Sequence, residues 1–282
     1  MGDAVWRRVG IGIGVIAVAA FAGSPVHAVE LSGKERSFRS FIVDPVTVDA
    51  GRFRLEVQGF KIQDDEGARI NLIGFRIPKP PQVRRQEIES DGGVFNLIGS
   101  YGLSNNSEIG FLLPGYIETR TVAGQKQTKE DMGDVQLYGK FVQPYGDLIK
   151  WTAGVQVSLP SGAKNKEFGT DEVGLNPFVG GRLTWKRIGF GGQIGYEFFS
   201  GDVPDVFNNS WTLFLKGSDF YTLRGETVIR VFHQGGFRNV DLTVWPGVDL
   251  HFSDRLLVRP TGMVGRLASP EWGIGLGLTY LL

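Results

Sequence analysis

The sequence has no cysteine among its 282 residues and only three histidines and three methionines. That excludes a disulfide framework, a Cys-ligated zinc site and thiol chemistry. It also lacks an excess of either charge: 30 Lys and Arg face 30 Asp and Glu. A phosphate-binding surface needs surplus cations to release counterions, so a nucleic-acid partner is excluded. The motifs H-E-x-x-H and G-x-S-x-G, a phosphate loop and a calcium loop are all missing, and no metal or cofactor is expected. What the chain has in quantity is glycine, with 41 residues, about twice the usual share of roughly 7%. There is no Gly-X-Y period and no Ser/Gln-rich tract, so this glycine serves a folded chain.

Arg7 and Arg8 precede an apolar run from Val9 to Ala22, and Val26 and Ala28 then form an A-x-A-like site. This predicts a signal peptide over 1–28. The 14-residue run falls short of the roughly 20 residues a spanning helix needs. Removal leaves 282 − 28 = 254 residues; Asp3, Arg7 and Arg8 go with it, so the net charge becomes −1. No later stretch reaches 18 consecutive apolar residues, so an exported chain is expected without a helical span.

From Arg52 to the end, apolar and polar residues alternate with period 2, the pattern of strands with one apolar face. In RFRLEVQGF (52–60), Phe53, Leu55 and Val57 share one face and Arg54, Glu56 and Gln58 the other. Similar segments at 93–103, 108–118, 133–143, 149–160, 173–186, 188–199, 209–217, 221–232, 239–252, 255–266 and 271–282 bring the expected number to about twelve strands. Most have the 9 to 11 or so residues with which a tilted strand crosses a bilayer.

The connections sort by length. Long ones (61–92, 119–132, 161–172, 200–208, 233–239 and one near 269) share one end, and tight ones (104–107, 144–147, 186–187, 217–219, 253–254) share the other. That asymmetry predicts an all-β, transmembrane, antiparallel up-and-down β-barrel over 51–282 in the outer membrane of a Gram-negative bacterium. Outer-membrane lipid, lipopolysaccharide and the barrel assembly machinery are its expected partners. The alternating segment 68–77 is assigned to a hairpin in the first long loop, because counting it would break the even parity. Residues 29–50 are either a periplasmic segment or a plug threaded into the lumen.

Aromatics on the outward face are expected to form two interfacial girdles. Tyr101, Phe141, Trp151, Trp185, Phe190, Tyr221, Phe252 and Tyr280 go to the turn rim, and Tyr196, Phe198, Trp211 and Trp272 to the loop rim. The last strand, EWGIGLGLTYLL, resembles the assembly signal of outer-membrane barrels, with Tyr280 two positions from the end and Leu282 where an aromatic is usual.

The same parity turns a balanced set of charges inward. Arg54, Lys140, Arg182, Lys216, Arg224, Arg230 and Arg259 are the cations. Glu56, Glu108, Glu197, Glu226, Asp241 and Asp249 are the anions. On the lipid face each Arg or Lys near the midplane would cost about 2 to 4 kcal/mol, so these residues are expected to line the lumen as paired networks. Tyr138, Phe178, Phe214, Phe232, Trp245 and Met263 lie among them; they either pack against a plug or line a path for apolar solutes. His251 shares the inward face with Asp249 and is expected to hydrogen-bond it, whereas His233 falls in a long loop. These two histidines give little support to an outer-membrane hydrolase, and no enzyme is expected.

Proline stands out. Pro114, Pro177, Pro246 and Pro260 fall within strands, and a closed barrel has no edge where a missing N–H is harmless. Pairing through the 253–254 turn places Pro246 opposite Thr261, beside Pro260. Two readings follow: bulges that bend the wall, or a local gap at Pro246 and Pro260 through which an apolar solute leaves sideways.

The stretches GDVQLYGKF (133–141), KWTAGVQVSLPSGA (150–163) and NPFVGGRLTW (176–185) resemble the outer-membrane family of meta-pathway phenol-degradation transporters. Gly133, Asp134, Lys140, Leu159, Pro160, Ser161 and Gly162 carry the match, with Ser161 where Thr is commoner. The resemblance covers roughly half of the mature chain and implies a barrel associated with uptake of aromatic compounds; it brings no catalytic residues. The expected function is passive uptake of a small-molecule solute, aromatic or otherwise apolar. The alternatives are a closed structural or surface-interaction barrel and a barrel hydrolase.

Overall fold

A strand that shows lipid one face and a barrel interior the other needs side chains that change character at every residue. The computed structural model describes residues 47–64, 89–122, 125–162, 169–201, 203, 205–234, 237–267 and 272–282. In them this alternation yields strands and no helix: β1 (Phe53–Asp64), β2 (Glu89–Ser104), β3 (Ser107–Val122), β4 (Gln125–Met132), β5 (Val135–Tyr145), β6 (Ile149–Leu159), β7 (Gly174–Trp185), β8 (Ile188–Phe199), β9 (Asp205–Lys216), β10 (Tyr221–Gln234), β11 (Phe237–His251), β12 (Leu256–Leu267) and β13 (Trp272–Leu281). Each pairs antiparallel with its neighbours, and β1 pairs with both β2 and β13, which closes the ring. The final residue joins the closure, the Leu282 N–H donating to the Phe53 carbonyl at 2.8 Å.

Thirteen segments make twelve wall positions, because β4 and β5 are one interrupted strand. β3 pairs with β4 from Gly115↔Met132 outward and with β5 from Leu112↔Gln136 downward. Residues 133, 134 and 135 therefore stand opposite only 113 and 114, which makes a bulge. Pro114 sits at this bulge, where its carbonyl accepts from the Gly133 N–H at 2.9 Å and a ladder N–H is not required.

Burial is inverted relative to a water-soluble protein. Ile274 is 59% exposed and Leu213 56%, while Glu226 and Gln58 are fully buried and Arg259 and Asp249 nearly so. Only lipid on the outside makes that distribution favourable. The expected twelve-stranded, all-β barrel is thus the observed fold.

Several boundaries differ from the sequence reading. Of the segments expected as loops, 119–122 and 125–132 belong to the paired strands β3 and β4, and 233–234 and 237–239 are the ends of β10 and β11. Hydrogen-bond pairing outlasts the lipid band, so polar alternation above it looks like loop in a sequence. Trp211 also leaves its expected girdle: it leans over Gly192 and stacks on Phe190 with ring centroids 5.5 Å apart. The extra segment 68–77 lies outside the described residues.

At the long-loop end Asp134, in the bulge, ties down the connection that follows β6. Its carboxylate accepts from the Gly162 N–H (2.9 Å), the Thr170 N–H (2.7 Å) and the Thr170 hydroxyl (2.7 Å). Ser161 returns the contact, its Oγ accepting from the Val135 N–H at 2.8 Å. The Gly-Asp and Leu-Pro-Ser-Gly motifs therefore meet in space as a latch. Gly162 passes Gly169 so closely that a Cβ there would stand 2.8 Å from the Gly169 Cα.

Two outcomes are expected. Leu276→Arg on the lipid face lowers unfolding stability in phospholipid vesicles, measured with urea, by about 2 to 4 kcal/mol. Asp134→Ala leaves the barrel folded by heat-modifiable gel mobility but makes 161–172 a preferred site of proteolysis.

Candidate functional site

Among the described residues the chemistry-bearing side chains collect inside the barrel, in layers set by distance from the short turns. Nearest those turns lies an ionic layer. Glu108, starting β3, receives Arg54 from β1 at 3.1 Å, Lys140 from β5 at 3.2 Å and the Tyr138 hydroxyl at 2.9 Å. Tyr138 is also 2.6 Å from Ser100 on β2. On the adjoining wall Arg259 donates to Asp249 at 2.7 Å and lies 3.9 Å from Glu56, and Arg224 reaches Glu226 at 3.2 Å and Asp249 at 3.6 Å. Gln58 extends this network, giving a hydrogen bond to Glu56 (2.6 Å) and taking one from Asn96 (3.2 Å). A buried ion is tolerated only with partners that replace its hydration, and anions and cations from six wall strands supply each other.

The chain ahead of β1 enters this layer. Val48 is buried, and its N–H donates to Glu108 Oε2 at 2.7 Å. Thr47 gives its hydroxyl to the Asn105 carbonyl at 2.6 Å, and the Gly51 N–H bonds the Gly102 carbonyl at 2.9 Å. Gly102 is needed here, because a side chain on it would run into the carbonyl oxygens of Val48 and Asp49.

Above the ions lies an apolar layer. Phe60, Ile62, Val94, Tyr116, Val228, Trp245 and Met263 form one buried cluster, with the Phe60 and Trp245 rings edge to face at 5.6 Å. Phe199, Val206 and Phe232 form another toward the long loops. Across the barrel Phe178 covers Gly154, and the Arg182 guanidinium lies 4.5 Å from the centre of the Phe214 ring. Glu197 is buried and accepts from Ser158 at 3.0 Å.

The wall beside Trp245 and Met263 is incomplete. β11 and β12 pair without a break from Asp241↔Leu267 to Val244↔Val264, then only at Gly247↔Thr261, and resume at Leu250↔Val258. Pro246 and Pro260 fall in the unpaired stretches, both facing outward. The register places Pro246 opposite Gly262, one residue from the expected Thr261. The Thr261 hydroxyl donates to the Pro246 carbonyl at 3.0 Å, which satisfies an acceptor the ladder leaves unused. A shorter break at Pro177 separates Leu175↔Phe198 from Phe178↔Gly195.

Of the residues singled out in the sequence, Arg54, Glu56, Glu108, Lys140, Arg224, Glu226, Asp249 and Arg259 share the ionic layer. Phe178, Arg182, Glu197, Phe214, Arg230, Phe232 and Trp245 lie higher or on the opposite wall; the Asp241 side chain lies outside the described residues. The expected His251–Asp249 hydrogen bond is replaced: Asp249 is engaged by two arginines, and His251 Nε2 is 3.4 Å from the Thr222 hydroxyl. His233 is exposed, its ring 6.4 Å from that of Tyr196. Among the described residues no group of His, Asp and Glu is placed to hold a metal ion. Gln58 shares the inward face with Arg54 and Glu56 as the alternation places it, but the uncharged lumen residues Asn96, Gln136, Gln156, Asn176, Gln193, Ser210 and Thr212 were missed, though the parity that picked out the charges marks them equally.

No protein-family model and no curated sequence matches this chain. Its fold is similar to that of an outer-membrane channel from Pseudomonas putida F1, with a TM-score of 0.65 and 11% identity over 86% of this chain and 100% of that one. It is also similar to the β domain of the Bordetella autotransporter BrkA (0.52, 8% identity, 81% and 99% covered) and to the NanC porin (0.50, 12%, 80% and 98%). What the chain shares with these proteins is the outer-membrane β-barrel fold.

Proposed function

We propose that this chain is a channel of a Gram-negative outer membrane that passively admits small apolar solutes, aromatic ones included, and releases them sideways between β11 and β12. One observation carries the reading: the buried apolar cluster abuts the interrupted ladder through Trp245 and Met263, while the way straight on is occupied by ion pairs. An apolar solute is stabilised by the first surroundings and rejected by the second. The segment leading into β1 completes the obstruction from the periplasmic side. A surface-interaction barrel and a hydrolase have no comparable observation in their favour.

Uptake of labelled naphthalene by cells bearing the protein should fall, on replacing both Pro246 and Pro260 with Val, to that of cells without it; unchanged uptake rejects lateral release. In planar bilayers the wild-type chain should pass little ion current. Gly102→Val, which forces Val48 and Asp49 off the wall, should raise that current. A wild-type conductance like that of a water-filled porin, or no response to the substitution, would sink the obstructed-lumen reading.

A further inference from the structure

The inner face of β8 is nearly bare over its first eight residues. From the short-turn end its inward positions are Gly189, Gly191, Gln193 and Gly195, with Glu197 and Phe199 beyond them toward the long loops, and Gly180 on β7 stands opposite Gln193. Gln193 faces Ser210 on β9, and Thr212 stands opposite Gly191. From the other side Asn176 leans over the strip, its Oδ1 2.7 Å from where a Cβ at position 195 would lie. Four uncharged polar side chains thus border a length of wall without side chains.

All four are buried, between 1% and 7% exposed, and Asn176 Oδ1, Gln193 Oε1, Ser210 Oγ and Thr212 Oγ1 have no hydrogen-bond partner. Buried polar atoms are almost always paired, because an unmade bond leaves the full cost of desolvation. Four such atoms along one strip indicate a partner that comes from outside the chain. Its chemistry follows from theirs. Two are amide oxygens, which only accept, and two are hydroxyls, which accept or donate; the partner must therefore bring a proton to give. A carboxylate offers acceptors alone, and a hydrocarbon offers nothing. A cation is not required either, since the carboxylates that border the strip are already engaged: Glu197 on β8 accepts from Ser158 at 3.0 Å, and Glu226 opposite Thr212 holds Arg224 at 3.2 Å. The strip also adjoins the apolar layer, as Ser210 is the register partner of Val228 in the Phe60–Trp245 cluster.

We propose that Asn176, Gln193, Ser210 and Thr212 form a subsite for the hydroxyl of an uncharged solute whose apolar body rests against Val228 and Trp245. The inference rests on the apolar-solute reading above and narrows it to neutral molecules with one O–H donor.

Equilibrium dialysis of the full chain in phospholipid nanodiscs tests this, with empty nanodiscs as blank and 1-naphthol, naphthalene and 1-naphthoate as probes on one ring system. The expected order is 1-naphthol tightest, by about tenfold over naphthalene, as one or two neutral hydrogen bonds give, with 1-naphthoate weakest. Ser210→Ala with Thr212→Val should abolish the preference, so that 1-naphthol binds no more tightly than naphthalene to the same variant. Ser210→Thr with Thr212→Ser, which keeps both hydroxyls, should retain the preference and controls for folding. Equal binding of 1-naphthol and naphthalene by the wild type, or a preference that survives loss of the hydroxyls, overturns the subsite alone. Binding of no probe above the blank overturns the apolar-solute reading and the subsite with it.

Discussion

Inside a bilayer a backbone N–H or C=O has no water to turn to, so each must find its partner within the protein. The closed ring from β1 round to β13 answers this for nearly the whole wall, and the rest of the molecule follows from it. Closure fixes parity, parity sends every second side chain inward, and charges too costly for lipid gather in the lumen. The places where the ladder fails then acquire meaning. At Pro114 a bulge in the partner strand absorbs the missing donor, whereas at Pro246 only a Thr261 hydroxyl steps in. The first exception is repaired by backbone geometry and the second by a single side chain, so the β11–β12 seam is the weaker part of the wall.

The lumen obeys a second constraint of the same kind. Eight charged groups, Arg54, Glu56, Glu108, Lys140, Arg224, Glu226, Asp249 and Arg259, sit where water is largely excluded, so none can lose its partners cheaply. Their mutual satisfaction makes the layer rigid, and it is this rigidity that separates an apolar upper lumen from the short-turn rim. The two layers have different tasks because their solvation costs differ in sign for the same solute.

Much of this was legible in the residues. Strict alternation in segments such as WGIGLGLTYL marked strand identity and face, and the spacing of the turns between such segments marked the strand number. Strand ends were less legible, because the polar ladder of β3 and β4 above the lipid band has no apolar face to mark it. Partnerships within the lumen were not legible at all. Asp249 shares a face with His251 two residues away, yet it meets Arg259 and Arg224, which reach it across strands. Strand tilt decides which inward residues from different strands come level, and no local pattern encodes it. The amide and hydroxyl strip escaped notice for another reason: charges draw attention on a lumen face, whereas glycine and glutamine look like filler.

The Asp134 latch gives the Gly-Asp and Leu-Pro-Ser-Gly stretches a task without reference to solute. Two of its three bonds are made to backbone N–H groups, and only Thr170 contributes a side chain. The two ends of the connection are held together at Gly162 and Gly169 whatever the composition between them. The mouth therefore has a built-in splice point, where sequence can be exchanged or a foreign segment inserted without altering the load carried by the ring beneath it.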